Sequence, residues 1–348
     1  MKAIFLFINF ILVIQLSLSS QSCLPEGITF LNQQEIDNFQ TNFPGCSIIE
    51  GDVWIHGYDI DNLNGLSILT EIGGELLVDS THLTDLQGLN SLTTIGKDLQ
   101  ISRNNFLYHL NGLDALTEIS GPIYVSFSGV ENFLGMPEIA SIGGLEIYYT
   151  GTKSFDGLQG ITSINGNLNL INGYYLNSLT GLENVQSING FLQIFLTGLK
   201  DLSGLDNIDP NSISDISIYM NDSLSECDVE SICNYLAGPG GSVNINNNAT
   251  GCNNQEEILD ACFSKTSEFP EFENSITIYP NPTKNLLFFS PKHLKPITEI
   301  TVYDQLGQIV IHKKGIIDKI DISEFHNGIY LILFQSNGIT FREKIFKI

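Results

Sequence analysis

Six cysteines carry the most legible chemistry in this 348-residue chain: Cys23, Cys46, Cys227, Cys233, Cys252 and Cys262. The number is even, and neither a CxxC nor a nearby histidine pair accompanies them, so disulfides are expected rather than a zinc site. Two lie before residue 50, four lie between 227 and 262, and none lies between those groups. Spacing alone leaves the connectivity open. Cys233 and Cys262 each fall on a short predicted helix, while Cys227 and Cys252 each precede one. That placement favours Cys23–Cys46, Cys227–Cys252 and Cys233–Cys262.

Catalytic chemistry is harder to find. There is no G-x-S-x-G, no H-E-x-x-H and no phosphate-binding glycine loop. The stretch "DIDNLNG" (59–65) glances at a calcium loop, but Leu63 falls at a ligand position and the segment reads as an ordinary turn. Asn221-Asp222-Ser223 and Asn248-Ala249-Thr250 match the glycosylation acceptor pattern. No enzymatic activity and no cofactor are expected. A β-helix enzyme degrading polysaccharide and a structural spacer without ligand stand as alternatives to a binding role.

The elements that position these residues are repeats. Seven units run in register from "GDVWIHGYDIDNLNGLSILTEI" at 51 to "NGFLQIFLTGLKDLSGLDNIDPNSI" ending at 213, and an eighth begins at "SDISIYM". A period of 22–25 residues predicts a stacked repeat architecture, a solenoid. Each unit opens on a strand of the form L-x-I, such as Leu99/Ile101, Leu145/Ile147 and Leu168/Leu170. Alternation sends the pair inward and the intervening residue outward. An L/F-x-G-L corner follows, and its glycine (65, 88, 112, 135, 157, 181, 204) is the same in all seven copies. A corner without Cβ implies positive φ or close approach of the next coil. One coil cannot offset its own ordering entropy, so stacking is obligatory and both ends need caps.

Outward strand positions form two series. The first is Trp54, Leu77, Gln100, Tyr124, Glu146, Asn169, Gln193 and Ser217; the second is His56, Asp79, Ser102, Ser126, Tyr148, Ile171, Phe195 and Tyr219. Only Asp79 and Glu146 are acidic and none is Lys or Arg. Three coils at ~4.8 Å place them ~14 Å apart, too far for a glycosidase carboxylate pair. Trp54, His56, Tyr124, Tyr148, Phe195 and Tyr219 instead make this face a candidate surface for a glycan or protein ligand.

Charge divides the chain. Residues 23–275 hold five Lys/Arg against 33 Asp/Glu (−28), residues 276–348 hold nine against six (+3), and Lys2 completes the net −24. The acidic part disfavours nucleic acid as a partner. Residues 1–22 read as a secretory signal: Lys2, an apolar run, then "SSQS". No transmembrane segment is expected in the mature chain.

The unit "I-x-G-x-L-x-I … L-x-G-L-x-x-L-x-x-I" with cysteine-bearing ends resembles the receptor L-domain family over about 23–262. The resemblance implies a right-handed β-helix-like, leucine-rich solenoid whose parallel sheet binds a ligand. The layout expected is an N-terminal cap (23–50), repeats (51–226), a Cys-rich C-terminal cap (227–262) and a linker (263–275).

After that linker the rhythm changes. Short strands separated by turns at "LGQ", "HNG" and "SNG" predict a small antiparallel β-sandwich over 276–348. Four ordered motifs, "YPNPTKN", "VYDQLGQIV", "IDISEFHNGIYLI" and a basic final strand, resemble the C-terminal sorting domain of substrates of the type IX secretion system of Bacteroidota. The resemblance singles out Tyr279, Pro280, Asn281, Pro282, Lys284, Gly307, Gly328 and Tyr330. It implies the type IX machinery as a partner, and a route through periplasm and outer membrane to the cell surface or medium.

Overall fold

The computed structural model describes residues 21–238, 240–265, 276–291, 296–304, 307–336 and 339–348. Residues 1–20 of the expected signal (1–22) and residues 266–275 of the expected linker (263–275) lie outside the described residues; Gln21–Cys23 forms a strand and Gln255–Lys265 a helix. The chain divides into two compact units, Met1–Lys265 and Thr266–Ile348.

In the first unit each repeat contributes one strand to a ten-stranded parallel sheet. The strands run in order Ile28–Phe30, Val53–His56, Leu76–Asp79, Leu99–Ser102, Pro122–Ser126, Gly144–Tyr148, Leu168–Ile171, Phe191–Phe195, Asp215–Tyr219 and Val243–Asn246. The first and last rungs come from the cysteine-bearing ends, so those ends extend the sheet as well as closing it. Leu76, Leu99, Ile123, Leu145 and Leu168 stack in register, as do Val78, Ile101, Val125, Ile147 and Leu170. All of them are buried in one apolar core that extends from Phe30 to Cys262.

The apolar residue closing each repeat does more than fill space. Glu71–Ile72, Thr94–Ile95 and Glu118–Ile119 continue a second parallel sheet begun by Gln21–Cys23 and Cys46–Ile49. Ser141–Ile142, Ser163–Ile164 and Ser187–Ile188 form a third. Between the two rows sits the L-x-G-L corner. Six of its glycines have φ between +94° and +114°. Gly65 lies instead in a 3-10 turn, where a Cβ would overlap the Ile36 carbonyl.

Helices close the two ends: Gln33–Asp37 and Phe39–Asn42 before the repeats, Glu230–Ala237 and Gln255–Lys265 after them. Cys23 is joined to Cys46, Cys227 to Cys252, and Cys233 to Cys262. Each bridge stays within one end, where fewer stacked neighbours are available to hold the chain.

The second unit is antiparallel. Ile276–Tyr279, Leu286–Pro291 and Lys319–Asp321 form one sheet; Ile309–Lys314, Glu299–Tyr303, Gly328–Ser336 and Ile339–Lys347 form the other. Leu287, Phe289 and Ile320 from the first share one core with Ile300, Val302, Ile332 and Phe334 from the second. Phe289 meets Phe334 edge to face at 5.0 Å between ring centroids, the favoured geometry for such a pair.

Candidate functional site

The outward face of the long sheet carries two columns. Trp54, Leu77, Gln100, Tyr124, Glu146 and Asn169 align in one; His56, Asp79, Ser102, Ser126, Tyr148 and Ile171 align in the other, continued by Phe195 and Tyr219. The aromatic side chains therefore do not form a continuous column in either series. Trp54 and Tyr124 are separated by Leu77 and Gln100, and Ile171 stands between Tyr148 and Phe195. Only Phe195 and Tyr219 stack, at 4.4 Å between ring centroids. Trp54 and His56 are exposed, but Tyr124, Tyr148, Phe195 and Tyr219 are half-buried by their neighbours on the same face.

What links these residues is a hydrogen-bond network between coils. Trp54 Nε1 donates to Glu75, and Gln100 Nε2 donates to the same carboxylate at 3.1 Å. His56 Nδ1 lies 2.6 Å from Asp79 Oδ2, and Arg103 Nη2 donates to that oxygen at 2.8 Å. Tyr148 donates to Glu146, which also accepts from Asn169 Nδ2 at 3.1 Å. Burial opposes ionisation of Asp79, but the hydrogen bonds from Arg103 and His56 outweigh it and hold the carboxyl below its ordinary range. For Tyr148, burial and then the Glu146 hydrogen bond push the phenol well above its usual value, so it stays a neutral donor.

The outward strand positions bring no Lys or Arg to this face. Arg103 supplies one from the residue just beyond its strand, a position the alternation pattern does not cover. A cavity of about 380 Å³ lies over the middle of the face, lined by Asp79, Gln100, Arg103, Tyr124 and Tyr148 among others. The arrangement offers fixed donors, fixed acceptors and ring surface to a ligand laid across several coils.

A second feature runs along the exit edge of the same sheet. From Leu76–Asp79 onward the residue after each strand takes a left-handed conformation: Ser80, Arg103, Phe127, Tyr149, Asn172, Leu196, Met220 and Asn247 all have φ between +48° and +56°. Such a conformation costs about 1–2 kcal/mol for a residue other than glycine. It is held by the ladder, because the corner N–H still donates to the next coil: Phe127 N to Tyr148 O at 3.0 Å, Tyr149 N to Ile171 O at 3.1 Å. The next residue is small and polar in most coils: Thr81, Asn104, Ser128, Thr150, Thr197, Asn221, Asn248. Asn221 is fully buried; its Oδ1 accepts from Thr197 N and Thr197 Oγ1, and its Nδ2 donates to Ile194 O and Tyr219 O. Asn104 repeats the arrangement with Thr81, Val78 and Ser102. An interrupted asparagine ladder is thus present although the repeat shows no regular one. The acceptor motif at Asn221 is accordingly closed to glycosylation in the folded chain, and the Asn248 amide is engaged with Ile218 O and Cys252 O. In the "DIDNLNG" stretch Asp59 accepts from Gln33 N at 3.2 Å, and no metal-holding cluster occurs there or elsewhere among the described residues.

In the second unit the "YPNPTKN" turn is clamped to the end of the chain. Asn281 Nδ2 donates to Lys344 O at 2.9 Å and its Oδ1 accepts from Phe346 N at 2.8 Å. Thr283 N donates to Phe346 O, and Ile348 N returns to Thr283 O. The Tyr279–Pro280 and Asn281–Pro282 peptide bonds are cis, Tyr279 stacks on Phe288, and Lys284 is exposed. Gly307, at φ +74°, closes the turn between Asp304 and Gln308. Gly328 opens the strand that carries Tyr330, whose hydroxyl donates to His326 O at 2.9 Å.

These two constructions correspond to two known families. Residues 277–347 match the family model described as the secretion system C-terminal sorting domain. Residues 45–108 match the receptor L domain, a shorter span than the resemblance over 23–262 suggests, although the strand register continues unchanged beyond residue 108. No curated protein matches the chain. The sorting domain, of the type IX kind, marks the protein for export to the cell surface or medium. No helix among the described residues is long and apolar enough to cross a membrane.

Proposed function

We propose that this is an exported recognition protein whose first unit, a right-handed β-helix-like leucine-rich solenoid, binds a glycan or protein. On this reading residues 1–22 direct passage of the inner membrane and 276–348 engage the type IX machinery at the outer membrane. The cysteine-bearing segments 23–50 and 227–262 act as caps, and 263–275 links the two units. The observation that carries the binding role is the preset network on the sheet face. Trp54, His56 and Arg103 are oriented by partners from the neighbouring repeat and Tyr148 by Glu146 on its own strand, so little side-chain entropy is lost when a ligand docks. Binding is favoured over hydrolysis because Asp79 and Glu146 lie on strands three apart, ~14 Å at the usual strand spacing, and each is already engaged by its own partners.

The test is a glycan and protein array probed with the purified full-length chain and with a Tyr124→Ser, Tyr148→Ser double variant. Loss of an array hit in the double variant, with the thermal transition lowered by no more than ~2 kcal/mol equivalent, is expected. An unchanged hit would remove the face from consideration, and release of shortened polysaccharide would favour catalysis.

A further inference from the structure

The exposed aromatic side chains of the first unit are concentrated at the sheet's exit edge rather than on its face. Phe127 and Tyr149 occupy consecutive left-handed corners, about half exposed, with rings stacked at 5.0 Å and only 7° apart. In the next coil Asn172 takes the corner and breaks the ring stack. Tyr174 and Tyr175, 63% and 65% exposed, follow it after Gly173. Beside this wall the chain passes through Gly129 and Gly151, where a Cβ would press on the Asn105 and Gly129 carbonyls, so backbone alone lines that part of the surface. Together they form a groove of about 400 Å³ that spans four coils, from Asn105 to Tyr175.

The composition of the groove identifies its occupant. Every lining residue is uncharged, being aromatic, amide, hydroxyl or glycine, in a region that carries 33 acidic residues against five basic ones. The lining holds no charged group to pair with a charged ligand, and an acidic glycan would be repelled by the surrounding field. Flat rings next to amide and hydroxyl groups suit a ligand with apolar C–H faces and uncharged hydroxyls around them. We infer that the Phe127–Tyr149–Tyr174 groove is a binding site for a neutral glycan chain. The inference rests on the recognition reading and adds a neutral-glycan subsite at the sheet's edge to the contacts proposed on its face.

Calorimetric titration of the full-length chain with neutral gluco-, manno-, xylo- and galacto-oligosaccharides, and with their uronic-acid counterparts, tests it. At least one neutral series should bind and its uronate counterpart should bind more weakly. Tyr174→Ala and Tyr149→Asn should each weaken that binding about tenfold, the scale of one ring contact. Asn already occupies the same left-handed corner at Asn172 and Asn247, so the second variant keeps the backbone. Absence of binding across the neutral panel overturns the groove assignment, while a protein hit on the array would leave recognition itself standing. Equal binding of the uronates, or unchanged affinity in both edge variants, also overturns it.

Discussion

Asn221→Ala removes the most heavily used polar side chain in the first unit. Asn221 is fully buried and bonds to three segments: the previous coil through Thr197 and Ile194, its own strand through Tyr219, and the last rung through Asn248. With alanine in place, Thr197 N–H becomes a buried donor without an acceptor, which costs about 1–3 kcal/mol. Two donated bonds to backbone carbonyls are also lost, at about 0.5–1.5 kcal/mol each net. The expected destabilisation is therefore about 4 kcal/mol, with about 2 as the lower bound. Urea unfolding of the full chain, followed together with hydrogen exchange at the Thr197 amide, measures both the global and the local effect. Asn221→Thr should cost roughly half as much, because threonine occupies the equivalent register at Thr81, Thr150 and Thr197 and can still accept one bond. A loss below about 1 kcal/mol in the alanine variant, with Thr197 protection unchanged, would refute the claim that this column ties the coils together.

Two further outcomes follow from the same geometry. Gly157→Ala should destabilise by at least about 3 kcal/mol, since φ is +107° and the new Cβ would overlap the Phe133 carbonyl; Gly307→Ala, at φ +74° in open space, should cost only about 1–2, and equal effects in denaturant melts would contradict the close-approach argument. Because the folded pKa of Asp79 is lowered, the unfolded chain takes up its proton first as pH falls; the stabilisation is present above about pH 4 and lost below it as the folded carboxyl titrates. Stability measured between about pH 5 and pH 2 should therefore fall less steeply in Asp79→Asn than in the parent, and parallel profiles would exclude Asp79 as a contributor.

Much of the architecture was legible because it is local and repeated. The L-x-I alternation needs only the two-residue period of a strand to place Leu99 and Ile101 inward, and recurrence every 22–25 residues makes those strands stack. The cysteines could be assigned to ends because they are absent from the repeats. The change of rhythm at "YPNPTKN" marked a second unit whose motifs follow one another along the chain. Corner glycines announced close backbone approach by their constancy within one sequence.

Side-chain neighbours between coils were not legible, because they depend on register rather than on local pattern. Arg103 reaches Asp79 across 24 positions, Asn221 reaches Thr197 across 24, and Asn281 holds Lys344 and Phe346 across 63 and 65. Alternation also says which side of a sheet a ring leaves from, but not what covers it: Tyr148 folds down onto Glu146 and is half-buried, whereas Tyr149, one residue later, is half exposed. That difference arises at the left-handed corner, which a tyrosine does not advertise in sequence as a glycine would. Only the stacked coils, whose ladder bonds hold that backbone conformation in place, decided that the exposed rings stand along the edge of the sheet.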